Sequence, residues 1–354
     1  YKNKTTIIGI SKLKSTKKRF YCGNSGTTAR LMLGFLPTRG ISGELYGDKS
    51  LSKRPMKRVI SPLIDMNVKF SSKYNNLPIK FKASKTKSIK HTLNIPSAQV
   101  KTALIFSALS CLQESYIKDP FNTRDHTERL INYSGFNKKY YKRYSIKGFN
   151  YSVSGDISSA AFLITAALLI PRSNITINNL IFNKTRRGYI EILKKMGAKI
   201  NIINKKLHQN EIICDLNIQH TSILKATDIS KKNIVSMIDE IPIFSLVCAY
   251  AHGTSNIRGA QELRYKESDR INSIVSNFKK LNININEYDD GFSITGPNVL
   301  YNTTINPYSD HRIALMGEII RLINKKPLST NNKIKSLINT SFPEFYSIIE
   351  DIYE

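Results

Sequence analysis

The sequence predicts a two-domain α/β protein, on three observations. Its 354 residues are more than one compact core normally serves, so two domains are expected. One local pattern recurs along the chain, and two helical segments are apolar on nearly every side. The recurring pattern is a charged helix start, an amphipathic helix, then a small residue or Asn leading into an alternating strand. It reads KRPMKRVISPLIDMNVKF at 53–70, RDHTERLINYSGFNKKY at 124–140, TRRGYIEILKKMGAKINII at 185–203 and KESDRINSIVSNFKKLNININ at 266–286. Ile190, Leu193 and Met196 fall at helical spacing, while Ile200 and Ile202, or Ile283 and Ile285, alternate as strand residues do. Recurrence at such intervals signals internal duplication.

The two apolar helices are predicted at 97–113 and 158–169. They are rich in small residues, belong inside a domain with amphipathic helices around them, and each opens on serines at its N-cap. A strand, YSVSG at 151–155, precedes the second. The boundary therefore falls near 153–156, which gives domains of 1–154 and 155–354 joined by a short hinge.

Composition narrows the function. A hydrophobic fraction of 41% is ample for a folded globular protein. The net charge of +28 would attract nucleic acid, acidic membranes or phosphorylated metabolites. However, the chain is crowded with Lys, Asn and Ile throughout, as in INKKPLSTNNKIKSLIN at 323–339, which is what an A+T-rich coding sequence produces. Nucleic-acid binding would need a contiguous basic face with interleaved aromatics, whereas these lysines are spread through every segment. Cys22, Cys111, Cys214 and Cys248 are scattered, with neither a disulfide framework nor zinc-ligand spacing, and fit a reducing cytoplasm. The longest apolar stretch, 160–170, is too short to span a bilayer. No signal peptide is visible, and the chain opens at Tyr1 rather than Met.

Chemistry-bearing residues gather at helix starts. Gly23-Asn24-Ser25-Gly26-Thr27-Thr28-Ala29-Arg30 could form an anion-binding nest at a helix N-terminus, or be an ordinary glycine loop and cap. It is neither a Walker A loop nor a Rossmann fingerprint. Ser97-Ala98-Gln99-Val100-Lys101 could grip a phosphate or sugar hydroxyls, or be a serine cap with a snorkelling lysine. Arg54, Arg124 and Arg186 stand at helix starts, where a cation opposes the dipole unless an anion is bound. Asp239 and Glu240 precede an apolar helix, charges alternate from Arg264 to Arg270, and Asp310-His311-Arg312 opens a third helix. Acids there are commonly caps, but several acid-plus-base clusters together could supply general acid–base groups beside a polyanion clamp. No Ser-His-Asp ordering, HExxH motif or acidic metal cluster is present, so no metal is expected.

In this order, ten blocks resemble the 5-enolpyruvylshikimate-3-phosphate synthases. They are CGNSGTTARLM, GDKSLSKRPMKRVISPL, IPSAQVKTALIFSAL, TRDHTE, GDISSAAFLITAALL, TRRGYIEILKKMGA, MIDEIPI, IRGAQELRYKESDRI, SDHRIAL and TSFPEF, spanning 22–345. TRDHTE, MIDE and TSFPEF are closer to the second bacterial class. The sister family acting on UDP-N-acetylglucosamine has a reactive-Cys loop without a counterpart here.

The resemblance implies the enolpyruvyl transferase fold, an inside-out α/β barrel. Each of its two domains is built from βαβαββ units around buried parallel helices, and the domains close on substrate. It also implies a cytoplasmic, monomeric transferase of the shikimate pathway of aromatic amino acid biosynthesis, with no cofactor and no nucleic-acid or membrane partner. The 5-hydroxyl of shikimate 3-phosphate would attack C2 of phosphoenolpyruvate while C3 is protonated, and the tetrahedral intermediate would lose phosphate. Carried over by motif, Asp239 is the base and Glu267 the proton donor. Phosphoenolpyruvate would be held by Gly26, Thr27, Arg30, Arg54, Gln99, Lys266, Arg270 and Arg312. Shikimate 3-phosphate would be held by Ser97, Ala98, Gln99, Arg186, Asp239 and Lys266. The family begins with a PGDKS-type segment that grips both substrates, and this chain starts downstream of it. GDKS at 47–50 copies its letters but aligns with the loop before KRPM, so it is not assigned that role.

Overall fold

The computed structural model describes residues 4–9, 18–71, 76–137, 139–300 and 304–352. Its Cα atoms group into two compact units, Tyr1–Tyr151 and Ser152–Glu354. The first opens with β1 (Arg19–Tyr21), α1 (Gly26–Phe35), β2 (Gly43–Tyr46), α2 (Lys57–Asp65), β3 (Lys69–Phe70) and β4 (Ile79–Lys82). These make one βαβαββ repeat, whose sheet runs β1-β2-β4-β3 with β1 parallel to β2 and the other pairs antiparallel. A shorter repeat follows, of β5 (Lys90–Thr92), α3 (Ala98–Ala108), β6 (Tyr116–Lys118) and α4 (His126–Tyr133). Its two strands pair in parallel across the α3 crossover.

The second unit contains α5 (Ile157–Leu169), β7 (Asn174–Ile181), α6 (Gly188–Lys195), β8 (Ile200–His208) and β9 (Glu211–Gln219). Next come α7 (Lys231–Ile234), α8 (Ile241–Tyr250), β10 (Gly253–Ile257), α9 (Arg270–Lys280), β11 (Asn284–Tyr288) and β12 (Gly291–Gly296). Three helices close the unit: α10 (His311–Ile323), α11 (Asn332–Asn339) and α12 (Phe345–Ile352). Both sheets are antiparallel and place the last strand in the middle, β7-β9-β8 and β10-β12-β11. The β2-β4-β3 part of the first sheet has the same order. Isolated parallel bridges, Gly155 to Leu180 in one repeat and Lys225 to His252 and Ile229 to Ile257 in the next, stand where the repeat's first strand would lie. The duplication read from the sequence is thus a duplication of topology.

The small residue or Asn after each amphipathic helix has a backbone reason. Asn67 (φ 67°), Gly135 (φ 99°), Gly197 (φ 95°) and Asn282 (φ 58°) follow α2, α4, α6 and α9 in left-handed conformation, which Gly and Asn tolerate best. Of these, α2, α6 and α9 each bury one side, as Val59, Ile60 and Leu63 do on α2, while α4 buries only Ile131. In contrast, α5 is buried at every position except Ser159, and α8 is buried except at Tyr250. They pack with α10 as the interior of the second unit, while α1 and α3 pack together in the first.

Three expectations are corrected. Among the described residues of 134–150 no strand forms after α4: Tyr141 makes one bridge, to Ser115. The aromatic rings of that segment collect on Phe136 instead, at centroid distances of 6.1 Å for Tyr141 and 4.8 Å for Tyr144. Residues 151–155 likewise form only the Gly155 bridge rather than a strand. Ser158 does not cap α5, since Asp156 holds the N-cap position and the Ser158 hydroxyl turns inward to Glu240.

Candidate active site

In the first unit the site builds on two helix starts. Ser25 caps α1 by accepting from Thr28 N at 3.1 Å, and Ser97 caps α3 by accepting from Val100 N at 3.3 Å. Gln99, in the first turn of α3, joins the two. Its Nε2 donates to Thr27 Oγ1 at 2.7 Å, and its Oε1 accepts from Arg30 Nη1 at 2.6 Å. Arg30 also donates to Pro55 O at 3.3 Å, and Arg54 donates to Asn24 Oδ1 at 2.5 Å. Asn24 is held in turn by Asp48 at 2.7 Å. Asp48 also accepts from Leu51 N at 2.7 Å, so this residue of GDKS supports the loop.

Two guanidinium groups converge on Gly26. A Cβ there would stand 2.9 Å from Arg30 Nη1 and 3.3 Å from Arg54 Nη1. Like charges gathered at a helix N-terminus suit an anion. Gly26→Ala is therefore expected to push Arg30 and Arg54 apart and raise the KM for phosphoenolpyruvate about tenfold with folding intact, since each 1.4 kcal/mol is tenfold in affinity. Steady-state kinetics beside a thermal melt checks this, and an unchanged KM refutes it.

Of the two readings of Lys101, ligand group or snorkelling cation, the second fails because its ammonium is buried in ion pairs. It is buried, with Nζ 2.9 Å from Asp119 Oδ2 and 2.8 Å from Glu128 Oε1. Asp119 also accepts from Thr123 N at 2.9 Å. The lysine therefore fixes the turn before Arg124 instead of facing a substrate.

In the second unit, Asp239 lies in the turn before α8. Its Oδ1 is 3.2 Å from Lys266 Nζ and 3.4 Å from Arg270 Nη1. Arg270 forks onto Asp310, Nε to Oδ2 at 2.8 Å and Nη2 to Oδ1 at 3.2 Å, with both side chains buried. Asp310 also caps α10 by accepting from Arg312 N at 2.9 Å. Burial alone would push the Asp310 carboxyl up, but Arg270 beside it more than offsets this and holds it at about 2. Glu267 Oε2 is 2.7 Å from His311 Nδ1. Burial likewise opposes ionisation of Glu267, and the His311 hydrogen bond outweighs it, holding the carboxyl below its usual value. Glu267, Asp310 and His311 each place one ligand atom within 4.8 Å of the others, but Arg270 occupies both Asp310 oxygens, so the grouping is an ion-pair network. The Arg312 guanidinium makes no ion pair or hydrogen bond among the described residues.

Arg186 stands apart from this cluster. Its Nη2 donates to Asp156 Oδ1 at 2.7 Å and to Ser158 Oγ, leaving Nε and Nη1 without a described partner. The structure therefore gathers Gly26, Thr27, Arg30, Arg54 and Gln99 in the first unit, with Ser97 and Ala98 at the same helix start as Gln99. It gathers Asp239, Lys266, Glu267, Arg270 and Arg312 in the second. Sequence reasoning missed Asp310 and His311 as partners of Arg270 and Glu267, although the DHR run at a helix start contains both.

Comparison with known proteins shows the family. Residues 1–349 match the family model described as EPSP synthase (3-phosphoshikimate 1-carboxyvinyltransferase). A 3-phosphoshikimate 1-carboxyvinyltransferase of Endomicrobium trichonymphae is 40% identical over 98% of this chain and 82% of that protein. The Petrotoga mobilis protein of the same name is 41% identical over 93% of this chain and 78% of its own. The EPSP synthase structure of Acinetobacter baumannii superposes with a TM-score of 0.78 at 30% identity, covering 96% of this chain and 80% of that one. The enolpyruvyl transferase NikO of Streptomyces tendae shares the fold, with a TM-score of 0.67 at 13% identity. With these repeats, these charge clusters and this match along nearly its whole length, the chain belongs to the EPSP synthase (3-phosphoshikimate 1-carboxyvinyltransferase) family.

Proposed function

We propose that these two sets of residues carry out the family's reaction, transfer of the enolpyruvyl group of phosphoenolpyruvate to the 5-hydroxyl of shikimate 3-phosphate with release of phosphate. The observation that carries the proposal is the second-unit cluster: a carboxylate, Asp239, between Lys266 and Arg270, with Arg312, whose guanidinium has no partner among the described residues, following the Asp310 that Arg270 grips. Asp239 takes the proton of the attacking hydroxyl. Glu267 delivers a proton to the methylene carbon, as one unit with His311, because their 2.7 Å contact holds a proton between them. Lys266, Arg270 and Arg312 hold the phosphate and carboxylate of phosphoenolpyruvate and stabilise the charge of the addition step. Gly26, Thr27, Arg30, Arg54 and Gln99 bind the same substrate. Ser97, Ala98 and Gln99 bind shikimate 3-phosphate with Asp239 and Lys266, and Arg186 meets its phosphate through Nε and Nη1.

No described helix is long and apolar enough to cross a membrane. We also propose a cytoplasmic monomer. All four cysteines are buried free thiols, as a reducing compartment allows. Burial pushes Cys214 up to about 11 and Cys248 to about 12, which keeps both unreactive.

The acceptor is tested by measuring phosphate release from phosphoenolpyruvate with shikimate 3-phosphate or a UDP-sugar. Release with the UDP-sugar alone would refute the assignment. The clamp is tested at Arg312. Arg312→Lys is expected to raise the KM for phosphoenolpyruvate nearly as far as Arg312→Ala, about 10–100-fold, because a point charge cannot replace a bidentate fork. Full rescue by Lys would make Arg312 a surface cation.

A further inference from the structure

We infer that Glu240 is a positioning residue, which fixes the turn that presents Asp239 through a buried link to Ser158 and Arg186. Glu240 stands at the N-cap position of α8 but makes no capping bond with its side chain. It is 1% exposed, and its Oε1 accepts the hydroxyl proton of Ser158, itself 2% exposed. Ser158 has one proton to give and gives it to Glu240, so its oxygen is left to accept from Arg186 Nη2, as observed. The same nitrogen of Arg186 also donates to Asp156 Oδ1 at 2.7 Å. The first turns of α5 and α8 and the segment leading into α6 are thereby tied at one buried carboxyl.

Consecutive side chains of the turn point to different partners. Asp239 meets Lys266 and Arg270, while Glu240 is held inside by Ser158. A second contact presses on the same turn. Gly188, the first residue of α6, approaches so closely that a Cβ would lie 2.1 Å from Ser236 Oγ. The buried Tyr189 beside it, hydrogen-bonded to Thr165, has its hydroxyl pushed well above the usual value by burial first and by the Glu240 charge in addition. The proposed function gives Glu240, Ser158, Gly188 and Tyr189 no role toward either substrate. What they share is the turn 235–240, in which the half-buried Asp239 comes immediately before the buried Glu240. The link also runs from the base to Arg186, the group proposed for the phosphate of the acceptor.

The inference rests on the reading of Asp239 as the base, and a double-mutant cycle in the full-length enzyme separates the two. Glu240→Ala is expected to lower kcat about 10²-fold, the scale of a 1 Å misplacement, with both KM values little changed. Glu240→Gln keeps an acceptor oxygen for Ser158 and is expected to recover most of that loss. In an Asp239→Asn background, Glu240→Ala should add no more than about twofold, because two changes acting through one group do not add. A loss that multiplies undiminished with that of Asp239→Asn overturns the inference, as does a Gln variant as slow as Ala. If Glu240→Ala does not fold, Ser158→Ala enters the same cycle with the same criteria. Near-normal turnover of Asp239→Asn alone would instead refute the base assignment.

Discussion

Asp239→Asn is expected to lower kcat by about 10²–10⁴-fold, the usual contribution of a general base. Asn has the same shape and keeps an oxygen that can accept from Lys266 and Arg270, so the cluster around it should stay assembled. What it loses is the ability to accept the proton of the 5-hydroxyl. Phosphate-release kinetics beside calorimetric titration with shikimate 3-phosphate separates these effects. The expected result is slow turnover with binding retained. Fast turnover would move the base elsewhere, and lost binding would make Asp239 a substrate anchor.

The largest stability effect is expected at Arg270→Met, about 3–5 kcal/mol by urea unfolding, because one partner of a buried ion pair is left uncompensated. Asp310 is fully buried and would lose both guanidinium bonds. Changing Asp310→Asn as well should restore most of the loss, since Asn still caps α10 and brings no charge. The pH dependence has a definite sign. The Asp310 carboxyl is held at about 2, below its ordinary value of 3.8. Its contribution is therefore complete above 3.8 and is lost as pH falls through about 2. Unfolding at several acid pH values should show this slope in the wild type and a flattened one in Arg270→Met.

Candidate site residues stood out in the sequence where a residue type is unusual for its position, such as arginine at a helix start, and helix ends stood out by the Gly or Asn that follows them. Partners were not legible. Arg270 and Asp310 are separated by 40 residues, and nothing local in either segment names the other. Lys101 fitted a ligand role by its place in the first turn of α3, yet Asp119 and Glu128 claim it from outside that helix. The strand expected at the end of 124–140 does not form among the described residues, because Phe136 packs on the rings of Tyr141 and Tyr144 instead. The buried hydroxyl of Ser158 looked like a cap because sequence shows that a hydroxyl is near a helix start and not which way it turns.

The strand order has a consequence for how the protein is made. Each three-stranded sheet of the second unit closes within its own stretch of chain, 174–219 for β7 to β9 and 253–296 for β10 to β12. Hairpins close in about 1–10 μs, whereas a ribosome adds only about 5–20 residues per second. The central strand β9 can therefore find both neighbours before any residue of β10 has been translated. Duplicated chains risk exchanging equivalent strands between copies. Here the order of synthesis removes the competitor: when β12 leaves the ribosome, the first sheet offers it no vacant edge in the middle.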